Sequence, residues 1–225
     1  MNDELLTAVR VREVVQKERI AMKNRLAAIE RGVDDATPRA KRYLERWHKR
    51  LMEDERVATD DITEFTEDEP IIEIMCNVKG VGKVLAAQVV AMVNIETADT
   101  VSSLWAYAGM SVIDGKADRP RKGVKMVGNK QLKKICYLVG TSFLKSKSPY
   151  AEVYYSAKEY YEINRPEWTK MHRHYASIRK MVKLWLSHLW VTWRKQKGLP
   201  VSQPYAIGVL GHGHYISPQE YGWPA

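Results

Sequence analysis

A chain of 225 residues is long enough to bury a real core as one domain with an appended element. Its formal charge of +9 is unevenly spread, since residues 1–70 carry 14 basic and 17 acidic side chains whereas residues 71–200 carry 22 and 9, so a polyanion-facing surface belongs to the second part. The two cysteines, Cys76 and Cys136, lie in apolar runs and argue against a disulfide framework; no run is long enough to span a bilayer and the opening residues do not read as a signal peptide, so a soluble intracellular protein without a membrane partner is expected.

From Glu4 to Arg31, Leu5, Val9, Val15, Met22, Leu26 and Ile29 recur at roughly helical spacing, which predicts a long amphipathic helix capped at Gly32. Thr37-Pro38 then reads as an N-cap followed by proline at the first helical position, and Tyr43, Leu44, Trp47, Leu51 and Met52 form the stripe of a second helix. Together they predict a coiled-coil-like helical hairpin over residues 1–60. It either pairs with a second copy through residues 4–57, making a homo-oligomer, or packs on its own domain. Residues 53–69 hold nine acids and one arginine, so a solvated linker or a fraying helix end is expected there, with 61–69 as the acidic linker; Asp60-Asp61 and Glu67-Asp68-Glu69 lack the spacing of a metal site.

Two apolar runs, Ile71 to Val78 and Val84 to Val93, are joined by Lys79-Gly80-Val81-Gly82, the pattern of a helix-hairpin-helix. Amides at the start of the second helix can take a phosphate oxygen, with Lys79, Gly80, Gly82 and Lys83 forming the grip. The turn serves equally well as a plain connector between packed helices. It is neither a P-loop nor a dinucleotide fingerprint, because the Gly-Lys-Ser/Thr ending and the third glycine are absent.

Thr100 predicts the cap of a short helix through Trp105 and Tyr107 that closes at Gly109. Ser111 to Gly128 is a loop or short β-ribbon whose cations Lys116, Arg119, Arg121, Lys122 and Lys125 suit a phosphate backbone. Gly128-Asn129 opens a helix with Lys130, Lys133 and Lys134 on one face and Leu132, Ile135, Leu138, Val139 and Phe143 on the other. A tyrosine-rich helix from Tyr150 to Ile163 follows, ended by Asn164 and Pro166. The next helix, Trp168 to Lys197, places Met171, Tyr175, Ile178, Met181, Val182, Trp185, Leu189 and Trp193 on or near one face as core, while Arg173, Arg179 and Lys180 are candidate phosphate contacts. Leu199 to Ala225, with four prolines and four glycines, is expected to wrap the surface as extended chain or to order with a partner. His172 and His174 are misplaced for sharing a metal on one helix face, and His212 and His214 lack matching ligands, so neither metal nor cofactor is expected.

Several of these motifs resemble the C-terminal transposase domain of the insertion-sequence-110 (IS116/IS902-type) family. They are Val78-Lys-Gly-Val-Gly, Leu104-Trp-Ala-Tyr-Ala-Gly-Met110, Lys122-Gly, and Val127-Gly-Asn-Lys-Gln-Leu132, in the family's order, and Ile178 to Trp190 is similar to a later helix of some members. The resemblance spans roughly residues 70–200. It implies a domain that brings a nucleophilic serine to DNA, working with an N-terminal RuvC-like domain of four catalytic acids under an RNA guide. These 225 residues hold no counterpart of the RuvC-like domain, and Asp114-Gly115-Lys116 stands where the family reads Ser-Gly-Lys. A carboxylate cannot replace a serine hydroxyl as the attacking group of a stable DNA–serine linkage.

The expected architecture is therefore all-α. A helical hairpin (1–60) and acidic linker (61–69) precede a helix-hairpin-helix-containing domain with a basic β-ribbon or loop (70–198) and an extended tail (199–225). The expected function is DNA binding, DNA rather than RNA, by a transposase-related protein of a mobile element, phage or virus, with no catalytic residues of its own. Its expected place is the cytoplasm, at the nucleoid or, for a viral element, in the host cell. Two alternatives stand beside it: a recombinase subunit that uses Ser111 with acids from a partner, and a protein-interaction module.

Overall fold

The structure, a computed structural model, describes residues 3–113, 116–117, 122–123, 128–202 and 216–224. Among these residues the chain is all-helical apart from one minimal ribbon. The helices are α1 (Asp3–Glu30), α2 (Pro38–Glu64), α3 (Pro70–Cys76), α4 (Lys83–Met92), α5 (Val101–Tyr107), α6 (Lys130–Ser146), α7 (Tyr150–Asn164) and α8 (Lys170–Gln196). Strands β1 (Val112–Ile113) and β2 (Lys116–Ala117) pair antiparallel, Val112 opposite Ala117 and Ile113 opposite Lys116. The chain divides into two compact units, Met1–Asp68 and Glu69–Ala225. No helix among the described residues is long and apolar enough to cross a membrane.

In the first unit, α1 and α2 pack on each other across the loop that Gly32 (φ +69°) opens and the Thr37 side chain closes by accepting from the Ala40 amide. Full burial is confined to one end, at Leu5, Val9, Ala58 and Ile62. Further along, Glu55 accepts from Arg12 (3.0 Å), Gln16 (2.8 Å) and Arg19, so a shielded charge cluster replaces apolar packing there. Burial pushes the Glu55 carboxyl up, and the Arg19 and Gln16 hydrogen bonds with the two arginine charges outweigh it, leaving the group below its ordinary value.

Two sequence expectations shift here. The acidic run does not break the helix: α2 continues to Glu64, so 61–64 of the expected linker is helical, Ile62 is buried in it, and Asp60 bonds Arg56 at 2.7 Å. The stripe of α2 is also narrower than expected. Leu44 and Leu51 are half-buried, whereas Tyr43, Trp47 and Met52 are exposed, with Arg46 and Arg50 lying over the two rings.

The second unit is built around α8. Its second half is buried nearly all round, and Met181, Trp185, Leu186, Leu189 and Trp190 are fully buried. Each such side chain contributes about 1.5–3 kcal/mol on burial. Helix α6 lies beside α8 in the same direction: Tyr137 meets Tyr175, Phe143 meets Trp185 and Gly140 faces Ile178 and Val182. A Cβ on Gly140 would sit 3.0 Å from a methyl of each, so the crossing is as close as it is because that residue has no side chain. The indole of Trp190 donates to the Ala98 carbonyl (2.6 Å), and Arg194 Nη1 donates to Ile95 and Ala98 carbonyls (3.0 Å each), which pins the α4–α5 connection to the end of α8.

The C-terminal stretch was expected to be extended or partner-ordered. Its described part, 216–224, instead folds onto the core through a short 3-10 turn, Pro218–Tyr221, and Trp223 is buried. The Trp223 indole donates to the Tyr150 hydroxyl (2.7 Å), which lies 2.5 Å from His188 Nδ1, and His188 Nε2 lies 3.1 Å from the Ile216 carbonyl. A carbonyl can only accept, so Nε2 carries the proton and Nδ1 accepts from Tyr150. His212 and His214 lie outside the described residues.

Burial drives His188 down to about 4, against the opposing Ile216 hydrogen bond, so the folded ring is neutral where an unfolded one at about 6.5 takes a proton. The unfolded chain then binds more protons between the two values. The His188 contribution is therefore complete above pH about 6.5 and is lost as pH falls through about 4, by about 3 kcal/mol in all. Denaturant midpoints measured from pH 7 to 4 should fall more steeply for the parent than for His188→Gln; parallel curves would contradict the neutral buried ring.

Candidate nucleic-acid interface

Helix α3 ends at Cys76 and α4 starts from Gly82, which has no side chain to cap it. The first bond into α4 runs from the Ala86 amide to the Gly82 carbonyl, so the amides of Lys83 to Leu85 have no partner inside the helix. Lys79, Gly82 and Lys83 are exposed around them. The turn itself is held from behind by α6. Ser142 Oγ donates to the Gly80 carbonyl at 2.6 Å, and Gly80 (φ +100°) lies so close that a Cβ would meet Ser146 Oγ at 2.6 Å and Phe143 Cδ1 at 3.1 Å. Free amides at a helix start with two flanking ammonium groups can take an anion.

At the other end of α6, the Asn129 side chain accepts from the amides of Gln131 (2.9 Å) and Leu132 (3.1 Å), and the Asn129 amide donates to the Tyr107 carbonyl (2.7 Å). The segments 104–110 and 128–132 are thereby joined. Lys130 and Lys134 are exposed as expected, and Lys145 extends their face, a cation the sequence reading did not select. Lys133 departs from them: it is half-buried, its aliphatic stem against Gly109, where a Cβ would meet its Cδ at 3.0 Å. Leu138 was assigned to the core stripe but is 40% exposed on the lysine face, and Cys136 takes the buried position. Burial pushes the Cys136 thiol up to about 12, so it is inert. At about 1.5 Å per residue, Lys134 and Lys130 stand roughly 12–24 Å from the serines that hold the glycine turn, so the turn and the start of α6 are separate cationic groups.

Of the ribbon cations, Lys116 lies in β2 and Lys122 is exposed in a turn, while Arg119, Arg121 and Lys125 lie outside the described residues, as do Asp114 and Gly115. Ser111 is half-buried immediately before β1. Among the described residues, no three His, Cys, Asp or Glu side chains gather where they could hold a metal ion.

The candidates on α8 divide. Arg173 is committed to the fold: it donates to the Trp168 carbonyl (3.0 Å), the Pro166 carbonyl (3.1 Å) and Glu162 (3.1 Å), closing the α7–α8 turn. Arg179 and Lys180 instead line a trench of about 1140 Å³ between the α7–α8 turn, the first half of α8, and Val112 and Ala117 of the ribbon. Arg165 and Lys183 bring two further cations, and among the described residues no carboxylate lines it. Lys183 lies 3.9 Å over the Trp105 ring, whose indole donates to the Lys183 carbonyl (3.0 Å). Burial, with the nearby Arg179 charge, holds its ammonium below the ordinary lysine value. Tyr161, Trp168 and His172 form an aromatic run along the trench, the last two stacked at 4.0 Å and 7°. Met171 and Tyr175, expected in the core, are 59% and 46% exposed on its wall. Their helical spacing was the signal that could have marked the trench, and it was indistinguishable from a core stripe.

Residues 72–156, from α3 into α7, match the family model described as Transposase IS116/IS110/IS902 family, a partial match of C-terminal type. The matched segment holds the glycine turn, α5, the ribbon and α6, but not the first unit or α8. No curated protein and no solved structure matches the chain.

The close approach at Gly80 generates a stability prediction. Gly80→Ala should cost about 1–3 kcal/mol from its positive φ, with more from the clash against Phe143. Gly82→Ala, with open space at its Cβ, should cost less than about 1 kcal/mol. Chemical denaturation of the two variants checks this, and equal losses would show that the turn is not pressed on α6.

Proposed function

We propose that the chain is a DNA-binding protein related to the C-terminal domain of a serine-type insertion-sequence transposase, and that it grips DNA without transferring strands. The observation that carries the reading is the transposase-family segment over residues 72–156, together with the lysines it exposes. On this reading α3, the turn and α4 act as a helix-hairpin-helix. The amides at Gly82 and the ammonium groups of Lys79 and Lys83 hold one phosphate region, and Gly80 supplies the backbone conformation. Lys130 and Lys134 hold another, their near edge separated from the turn by a distance comparable to the roughly 12 Å width of the major groove, while Lys145 sits on the same face at the turn's end of α6. The ribbon cations Lys116, Arg119, Arg121, Lys122 and Lys125 extend the grip, and Lys133, Arg179 and Lys180 lie at its margin. Arg173 serves the reading indirectly, by shaping the α7–α8 turn. The loss of chemistry rests on Asp114 standing where the related family has serine. Its setting would be the nucleoid, or the host cytoplasm for a viral element.

If about six lysines and arginines contact phosphates, affinity for a duplex should fall about a thousandfold between 50 and 200 mM salt. Lys79→Ala/Lys83→Ala and Lys130→Ala/Lys134→Ala should each lower the slope of log affinity against log salt by about 2. Anisotropy titrations check this. A flat salt dependence would end the reading, and an unchanged slope in the first pair would reduce the glycine turn to a connector.

The exposed Tyr43, Trp47 and Met52 of α2 support a second element of the proposal, pairing of two copies through residues 4–57. Light scattering should give twice the chain mass for the parent and the single mass for Trp47→Glu; a monomeric parent at micromolar concentration would refute the pairing.

A further inference from the structure

We propose that the C-terminal segment 216–224 positions the glycine turn for phosphate: docked on the core, it holds Gly80 and the start of α4 in the gripping geometry, with Tyr221 and Trp223 as its positioning residues. The inference rests on the nucleic-acid reading above. It adds to that reading a segment outside the family-matched residues that carries no lysine, arginine or histidine of its own.

Two routes lead from this segment to the turn. The first is direct. Gly222, at φ +89°, brings the chain so near α3 that a Cβ there would lie 3.5 Å from the carbonyl oxygen of Asn77, the residue that closes α3 three positions before Gly80. A cavity of about 480 Å³ lies between Ile74 of α3 and Pro218, Gln219 and Pro224, so the tie to α3 is concentrated at Gly222.

The second route runs through rings. The Trp223 indole donates to the Tyr150 hydroxyl (2.7 Å), and Tyr221 packs on the same tyrosine with ring centroids 4.5 Å apart. Tyr150 is stacked in turn on Phe143, at 4.8 Å and 18°, and Phe143 Cδ1 is the atom that a Cβ on Gly80 would meet at 3.1 Å. Both Tyr150 and Phe143 are fully buried, and in close packing neither ring shifts without displacing what it touches.

The turn needs such support from outside itself. It joins helices of only 7 and 10 residues, too short to be stable alone, and Gly82 gives α4 no side-chain cap. A grip made of backbone amides must also be aimed, because a hydrogen bond weakens steeply as its angle closes. Ser142 holds the turn from α6, and the docked segment braces it through Asn77 and Phe143.

The test is a double-mutant cycle on the full chain with a fluorescently labelled DNA duplex. Trp223→Ala should weaken duplex binding about tenfold or more and lower the salt slope by up to about 2, through lost phosphate contacts at the turn. In a chain already carrying Lys79→Ala/Lys83→Ala it should add less than about twofold, because the contacts it acts through are gone; beside Lys130→Ala/Lys134→Ala its effect should stand undiminished. A general loss of stability would weaken binding equally in all three backgrounds. Tyr221→Ala, which removes only a half-buried ring, should show the same pattern in smaller measure and serves where Trp223→Ala does not fold. Hydrogen exchange without nucleic acid reads the brace by itself. In either variant the bonded amides of Asn77, Val78, Val81 and Ala86 should exchange faster, while that of Leu132, under the Asn129 cap, keeps its rate. Unchanged exchange at those four amides, or equal losses of binding in all backgrounds, overturns the proposal and leaves the nucleic-acid reading standing. A parent chain that binds no duplex ends both.

Discussion

The backbone carbonyl of Ala98 ties the end of α8 to the segment between α4 and α5. It accepts from both the Trp190 indole and the Arg194 guanidinium, and the same arginine also takes the carbonyls of Ile95 and Pro200. A guanidinium only 4% exposed would be costly without such acceptors, because a charge leaving water must recover its hydrogen bonds. Carbonyls provide them without needing a buried carboxylate, and Asp99, at 4.0 Å, stays in solvent. The end of α8 is thus anchored to the segment between α4 and α5. The second half of α8 is buried nearly all round, whereas its first half buries only the side carrying Ala176, Ile178, Met181 and Val182, and its other side is the surface that forms the wall of the trench.

The motifs of the transposase family do mostly structural work in this chain. Asn129 caps α6 and its amide ties that cap to Tyr107; Gly80 lets a turn lie against Phe143 and Ser146; Gly109 makes room for the Lys133 stem. None of these needs a substrate to explain it. A motif match therefore reports that a scaffold is present, while activity depends on side chains the scaffold displays. Lys79, Lys83, Lys130 and Lys134 are the displayed ones, and they stand on opposite ends of α6 rather than in one continuous line.

Helix boundaries were legible because local chemistry sets them. Thr37, Thr100 and Asn129 each cap the helix expected of them, and Gly32 and Gly109 end theirs with positive φ. Which face of a helix turns inward was less legible, since the period of a stripe does not say what covers it. Tyr43 and Trp47 have the spacing of α2 core residues yet lie outward, because the inward line carries Glu55 and its arginines instead. Tyr175 and Met171 share the stripe of Trp185 but lie near the start of α8, where Tyr175 meets Tyr137 of α6 and both residues still stay exposed. The tail was misjudged for a different reason. Prolines and glycines signal irregular backbone, which is correct for 216–224, but irregular chain can still be buried when an indole finds a hydroxyl such as that of Tyr150. Trench residues such as Trp168 and Lys183 come together only through the α7–α8 turn and the Trp105 contact, which no local pattern encodes.

The lysine face of α6 and the wall of the trench are not independent in space. Tyr137 on α6 packs against Tyr175 on α8, so the face carrying Lys130 and Lys134 adjoins the wall carrying Tyr175 and Lys180. A helix pair held as closely as α6 and α8 are at Gly140 has little freedom to slide, and the two surfaces keep a fixed offset.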